Sequence, residues 1–194
     1  EHLNGLTSEI LDFTNVESGK VALSSQDLDI YEFINDVANQ IKPIAAKNNN
    51  QIELHCPKNI GYMETDPTKL RQILFNLLAN ACKYTEFGLI SLNVKFNANR
   101  VNGSGHERWI TFSVIDTGVG IAPNKVDKIF HAIPNIRQPN NRRQEASGLN
   151  LTISRRLCHM MGGEIIVNSE PGMGSVFSVK LPHHASTQTV EHAY

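Results

Sequence analysis

From Asp66 to Thr85 the chain is written in a helical period. Leu70, Ile73, Leu74, Leu77, Leu78 and Ala81 recur at the three- and four-residue spacing that lines one face of a helix. Such a stripe demands a core to pack against. The start is marked as well, because Asp66 can accept from the first free amides and Pro67 suits the first helical position. The opposite face carries Lys69, Gln72, Asn76, Asn80 and Lys83. Asparagine costs helix propensity relative to alanine, so two of them one turn apart beside a lysine ask for a reason. Taken alone, the stripe reads equally as a solvated face or as a ligand face.

A second segment favours the ligand. Trp109 to Ile115 is rich in β-branched and aromatic residues and reads as a strand running into Asp116-Thr117-Gly118-Val119-Gly120. Glycines there allow a sharp turn and a close approach of backbone to a ligand, and the carboxylate before them can accept from an amine such as that of adenine. Alone, this pattern is also that of a plain turn at a strand end.

The order of elements adds what neither segment carries by itself. The asparagine helix is followed by Asp116-Thr-Gly-Val-Gly120, then by Ser147-Gly-Leu-Asn-Leu-Thr-Ile-Ser-Arg-Arg-Leu157, then by Gly172-Met-Gly-Ser175 before a last strand. From about Ile52 to Pro182 the chain resembles the ATP-binding domain of sensor histidine kinases, of the Bergerat or GHKL type. Before it, Ile10 to Lys20 resembles the end of the second helix of that family's dimerisation and phosphotransfer hairpin.

The resemblance implies roles at matching positions. Asn80 would offer an amide oxygen to Mg²⁺, with Asn76 supporting metal and phosphates. Lys83 would neutralise phosphate charge and Tyr84 would lie beside adenine. Asp116 would read the adenine amine, and Gly118 and Gly120 would leave room for the nucleotide. Arg142 would meet the γ-phosphate. Gly148 and Leu149 would open a helix whose first amides face the phosphates. Asn76, Lys83 and Arg142 are thus the catalytic candidates, and ATP and Mg²⁺ the implied substrate and cofactor. The implied partners are a response-regulator receiver domain and a second kinase chain joined through the helical hairpin.

The lid departs from the family's pattern. Ile133 and Asn135 stand where a Phe and a Gln are usual, and Glu145, Ala146 and Asn150 interrupt the customary glycine-rich run. A carboxylate at Glu145 would face triphosphate, and Asn150 would be suited to a left-handed backbone. A non-catalytic docking module of the same fold is therefore the alternative reading. A gyrase- or MutL-like ATPase fits less well, since no glutamate occupies the asparagine helix.

The remaining signals set the organisation. Leu3, Leu6, Ile10, Phe13 and Val16 form a helical stripe ending near Gly19. A helix is expected over about 28–46, then a polar break at Lys47 to Asn50 and a strand at Gln51 to His55. Strands follow near Leu89 to Asn97 and Arg108 to Ile115, joined by a hairpin loop over 99–106. Ala132 to Ala146 has no regular period and reads as a mobile loop. A helix over about 148–161 and strands at Glu164 to Asn168 and Ser175 to Leu181 complete the pattern. The fold expected is α+β: a two-layer α/β sandwich with a mixed, mostly antiparallel sheet covered on one face by helices, preceded by a helical segment. Its parts are 1–20 (end of the dimerisation helix), 21–182 (ATP-binding domain) and 183–194 (a disordered tail, with His183 and His184 solvated).

A formal net charge of -1 argues against a nucleic-acid or acidic-membrane partner. No apolar run is long enough to span a bilayer, so a cytoplasmic domain is expected, with room for a membrane anchor upstream. Cys56, Cys82 and Cys158 are odd in number and widely spaced, which fits reduced core thiols. The histidines lack metal-ligand spacing, and His2 lacks the surroundings of a phosphoacceptor.

Overall fold

The computed structural model describes residues 22–100, 106–130 and 149–184. The expected helix over 3–16, the lid positions Ile133, Asn135, Arg142, Glu145, Ala146 and Gly148, and residues 185–194 lie outside them. Two helices supply most of the helical layer. Helix α1 (Ile30–Ala46) buries Ile30, Phe33, Ile34, Val37, Ala38, Ile41 and Ala45, and Asp29 caps it by accepting from the Glu32 amide at 3.0 Å. Its end is a left-handed Asn49 with φ 54°, a conformation asparagine tolerates better than most residues. Helix α2 (Pro67–Tyr84) starts at Asp66, whose Oδ1 accepts from the Lys69 amide at 3.0 Å, with Pro67 at its first turn. Leu70, Ile73, Leu74, Leu77, Leu78 and Ala81 are all buried, as their period requires. Burial of each such leucine or isoleucine is worth about 1.5–3 kcal/mol. Helix α2 packs between α1 and a third long helix over Leu149–Met160.

The sheet lies beneath. Strands β2 (Gln51–His55), β4 (Leu89–Arg100), β5 (His106–Asp116), β6 (Glu164–Glu170) and β7 (Gly174–Pro182) are ordered β2-β4-β5-β7-β6. The β2–β4 pair is parallel and the others are antiparallel, giving the mixed, mostly antiparallel sheet expected. Alternate residues (Ile90, Leu92 and Val94; Ile110, Phe112 and Val114; Phe177, Val179 and Leu181) are buried in the one core that the helices cover. The other sheet face is polar, with Ser113 and Ser178 sharing a hydrogen bond at 2.9 Å and Asn97 donating to Thr111 at 2.9 Å.

The structure differs from the sequence expectation in three places. The helix starts at Ile30 rather than near Leu28, and the residues before it form β1 (Gln26–Asp29), paired antiparallel with β3 (Tyr62–Thr65) in a separate two-stranded sheet. Strands β4 and β5 run on to Arg100 and from His106, past the limits expected for the hairpin loop. His183 is no solvated tail: its amide donates to Arg108 O at 2.9 Å, its carbonyl accepts from Glu64 N at 3.0 Å, and its ring packs edge-on against Phe96. Asn150 lies in the first turn of α4 (Leu149–Met160), as the helix expected over about 148–161 requires; α4 follows the four-residue α3 (Pro123–Val126). Among the described residues no helix is long and apolar enough to cross a membrane.

Candidate functional site

The polar stripe of α2 is bordered at its middle and at its C-terminal end. At its middle, Asn76 Nδ2 donates to Ser154 Oγ at 3.1 Å and to Asn150 O at 3.4 Å, so the stripe lies against the first turns of α4. Ser154 is fully buried and itself donates to Asn150 O at 2.8 Å. A helix N-terminus carries free amides and a partial positive charge, and Asn76 holds that end of α4 beside the amides and amines of α2. The sequence reading gave Asn76 a ligand role alone; the tie to Ser154 was hidden, because 78 residues separate the partners.

At its far end α2 meets the Asp116 loop. Val119 N donates to Tyr84 O at 3.3 Å, while Thr117 exchanges hydrogen bonds with Leu89, amide to carbonyl at 3.2 Å and Leu89 amide to Oγ1 at 3.0 Å. Gly118 sits so close that an added Cβ would strike Tyr84 O, with Thr85 Oγ1 at 2.8 Å and Asp116 Oδ1 at 2.9 Å. Gly120 has φ +67°, and a Cβ there would run into the Glu170 carbonyl. Both glycines are thus required by packing within the protein itself. Between Asn76 and Tyr84 the helix rises about 12 Å, so the first turns of α4 meet the middle of the stripe and the Asp116 loop meets its C-terminal end.

Asp116 is buried, with 6% of its surface exposed. Burial pushes its carboxyl above the usual range, opposed by hydrogen bonds from the Gly118 amide at 2.9 Å and from the amide and hydroxyl of Ser175. Ser175 in turn shares a hydrogen bond with Ser169 Oγ at 3.0 Å, and Ser169 also accepts from Ile121 N at 2.8 Å. This serine pair, absent from the candidates drawn from sequence, fixes the carboxylate from below. The available signal was Ser175 following Gly174 at the start of a strand.

The other candidates fall as follows. Asn80 is half-buried on the stripe one turn beyond Asn76, and its side chain makes no hydrogen bond to a described residue. The Lys83 ammonium lies 5.3 Å from the centroid of the Tyr84 ring, which is 49% exposed at the helix end. Leu149 opens α4.

Helix α2 thus touches both the first turns of α4 and the loop after the buried Asp116, and residues 65–185 match the family described as histidine kinase-, DNA gyrase B- and HSP90-like ATPase. The chain belongs to that ATPase family. Its relatives include the autoinducer 2 sensor kinase/phosphatase LuxQ of Vibrio vulnificus, 36% identical over 94% of this chain and 21% of the relative. The sensor histidine kinase RcsC of Salmonella typhimurium is 31% identical over 96% of this chain and 19% of its own length. The chain therefore spans about a fifth of these curated relatives. Among solved structures, full-length ShkA in complex with AMPPNP superposes with a TM-score of 0.74 at 31% identity, covering 95% of this chain and 36% of ShkA. The ATPase-family match spans everything from the end of β3 to the end of β7.

Proposed function

We propose that this chain is the ATP-binding catalytic part of a two-component sensor histidine kinase, passing the γ-phosphoryl of ATP to a histidine on a phosphotransfer hairpin for relay to a response-regulator receiver domain. The observation that carries the reading is the shared helix α2, which meets the α4 N-terminus at Asn76 and the Asp116 loop at Tyr84. One contact suits phosphate and the other suits an amine-bearing base.

Asp116, held by Gly118 and Ser175, accepts the exocyclic amine of adenine; its burial strengthens that hydrogen bond by excluding water. Tyr84 and Lys83 close the base and phosphate sides. Asn80 fits the role of a metal ligand: its neutral amide is unclaimed among the described residues, and Mg²⁺ takes one or two protein oxygens with the rest from phosphates and water. When bound there, Mg²⁺ would supply charge neutralisation to the phosphates. Asn76 keeps the α4 amides facing them, and Arg142 would add its guanidinium to the γ-phosphate. The chain's own contribution is positioning and charge, with no covalent step on its side chains. In the complete protein, the kinase would act as a dimer through the helical hairpin.

Titration with ADP and ATP, with and without magnesium, tests the assignment. Asp116→Asn should weaken both nucleotides in either condition, whereas Asn80→Ala should weaken chiefly the magnesium-dependent part. Unchanged affinity in both variants, against a binding parent, would refute the site.

A further inference from the structure

The turn that joins α2 to β4 has an uncommon conformation for its sequence. Phe87 is 80% exposed and adopts φ 50°, a left-handed backbone that a bulky residue enters only at a cost of about 1–2 kcal/mol. Such a conformation persists where its surroundings over-determine it. Here the surroundings are the polar run Asn48-Asn49-Asn50, which the sequence showed only as a break between elements.

Asn50 is 8% exposed and uses both ends of its amide on that turn. Its Nδ2 donates to Thr85 O at 2.7 Å and to Cys82 O at 3.2 Å, satisfying carbonyls that α2 leaves open at its C-terminus. Its Oδ1 accepts from Gly88 N at 3.1 Å. Asn48 reaches only part of the same end: its Nδ2 donates to Cys82 O at 2.9 Å and its carbonyl accepts from Phe87 N at 3.0 Å. The held residues are those on which the Asp116 loop rests. A Cβ on Gly88 would lie 2.5 Å from Thr117 Oγ1, Leu89 bonds Thr117 in both directions, and Thr85 Oγ1 stands beside Gly118.

We propose that Asn50 is a positioning residue for base recognition: by gripping Thr85 and Gly88 it sets the place of the Asp116–Gly118 loop relative to α2, and thereby the preference of the site for an amine-bearing purine. The inference rests on the reading of Asp116 as the adenine acceptor. Asn50 touches no ligand; it acts through the turn.

The test compares the parent chain with Asn50→Ala and Asn48→Ala, measuring calorimetric affinity for ADP and for inosine diphosphate, which lacks the exocyclic amine. Both variants remove a contact to Cys82 O and lower the unfolding temperature. Only Asn50→Ala should weaken ADP, by about tenfold, the weight of one net hydrogen bond, and narrow the ratio between the two nucleotides. Asn48→Ala should keep the parent's ratio. If Asn50→Ala does not fold, Asn50→Ser, which can keep one carbonyl contact, is held to the same criterion. A folded Asn50 variant with the parent's ratio overturns the inference while leaving the site intact. A parent that does not distinguish the two nucleotides overturns the reading of Asp116, and the inference with it.

Discussion

Gly120 and Gly172 form a natural pair of perturbations. Both have left-handed backbones, with φ +67° and +79°, so Gly→Ala brings each about the same strain of 1–2 kcal/mol. Their surroundings differ. Around Gly172 no atom lies within 4 Å of an added Cβ, whereas at Gly120 the Cβ would meet the Glu170 carbonyl oxygen, with its carbon at 2.7 Å and Pro171 Cα at 3.1 Å. These are backbone atoms, and they cannot swing aside as a side chain would. They are also tied to the same loop: Gly172 N donates to Val119 O and Ile121 N to Ser169 Oγ, each at 2.8 Å. Forced overpacking costs a further 1–3 kcal/mol or so. Gly120→Ala should therefore destabilise by about 2–5 kcal/mol and Gly172→Ala by about 1–2 kcal/mol, adding the steric cost to the strain in the first case only. Urea unfolding with unchanged slope measures both. Because the displaced loop carries Asp116, Gly120→Ala should also lose ADP affinity in its folded state while Gly172→Ala keeps it. Equal destabilisation of the two variants would show that the close approach to Glu170 has no energetic weight, and would refute the reasoning.

Burial holds the Asp116 carboxyl above its usual value of 3.8, so over the window from 3.8 up to the raised folded value the folded chain keeps a proton that the unfolded chain releases. Its contribution to stability is thus present at lower pH and lost as pH rises through that window; the unfolding free energy of the parent relative to Asp116→Asn should fall with pH there, and a flat difference would contradict the buried carboxylate. Burial also pushes the Cys82 thiol up to about 11 and Cys158 to about 12, whereas Cys56 is only partly buried. A thiol reagent at pH 8 should modify Cys56 before either of the others in the folded chain, and labelling of Cys82 or Cys158 first would count against the packing.

The helical period of residues 70–81, the Asp66-Pro67 start and the strand running into Asp116 were legible because each is local: the spacing along the chain is itself the cause of the buried face or the cap. The two-layer fold followed from the order of those elements. What tertiary structure alone decided lies in contacts between distant residues. Strands β1 and β3 are four residues each, too short to show a period, and exist because they pair with one another. Asn76 reads from sequence as a ligand residue, yet 78 positions later Ser154 claims its amide. Asn50 reads as part of a linker, yet its partners Thr85 and Gly88 lie 35 and 38 residues on. The sequence names the donors and acceptors of this site; only the assembled sheet and the packed helices determine which of them meet, since a hydrogen bond forms by distance in space and not by separation along the chain.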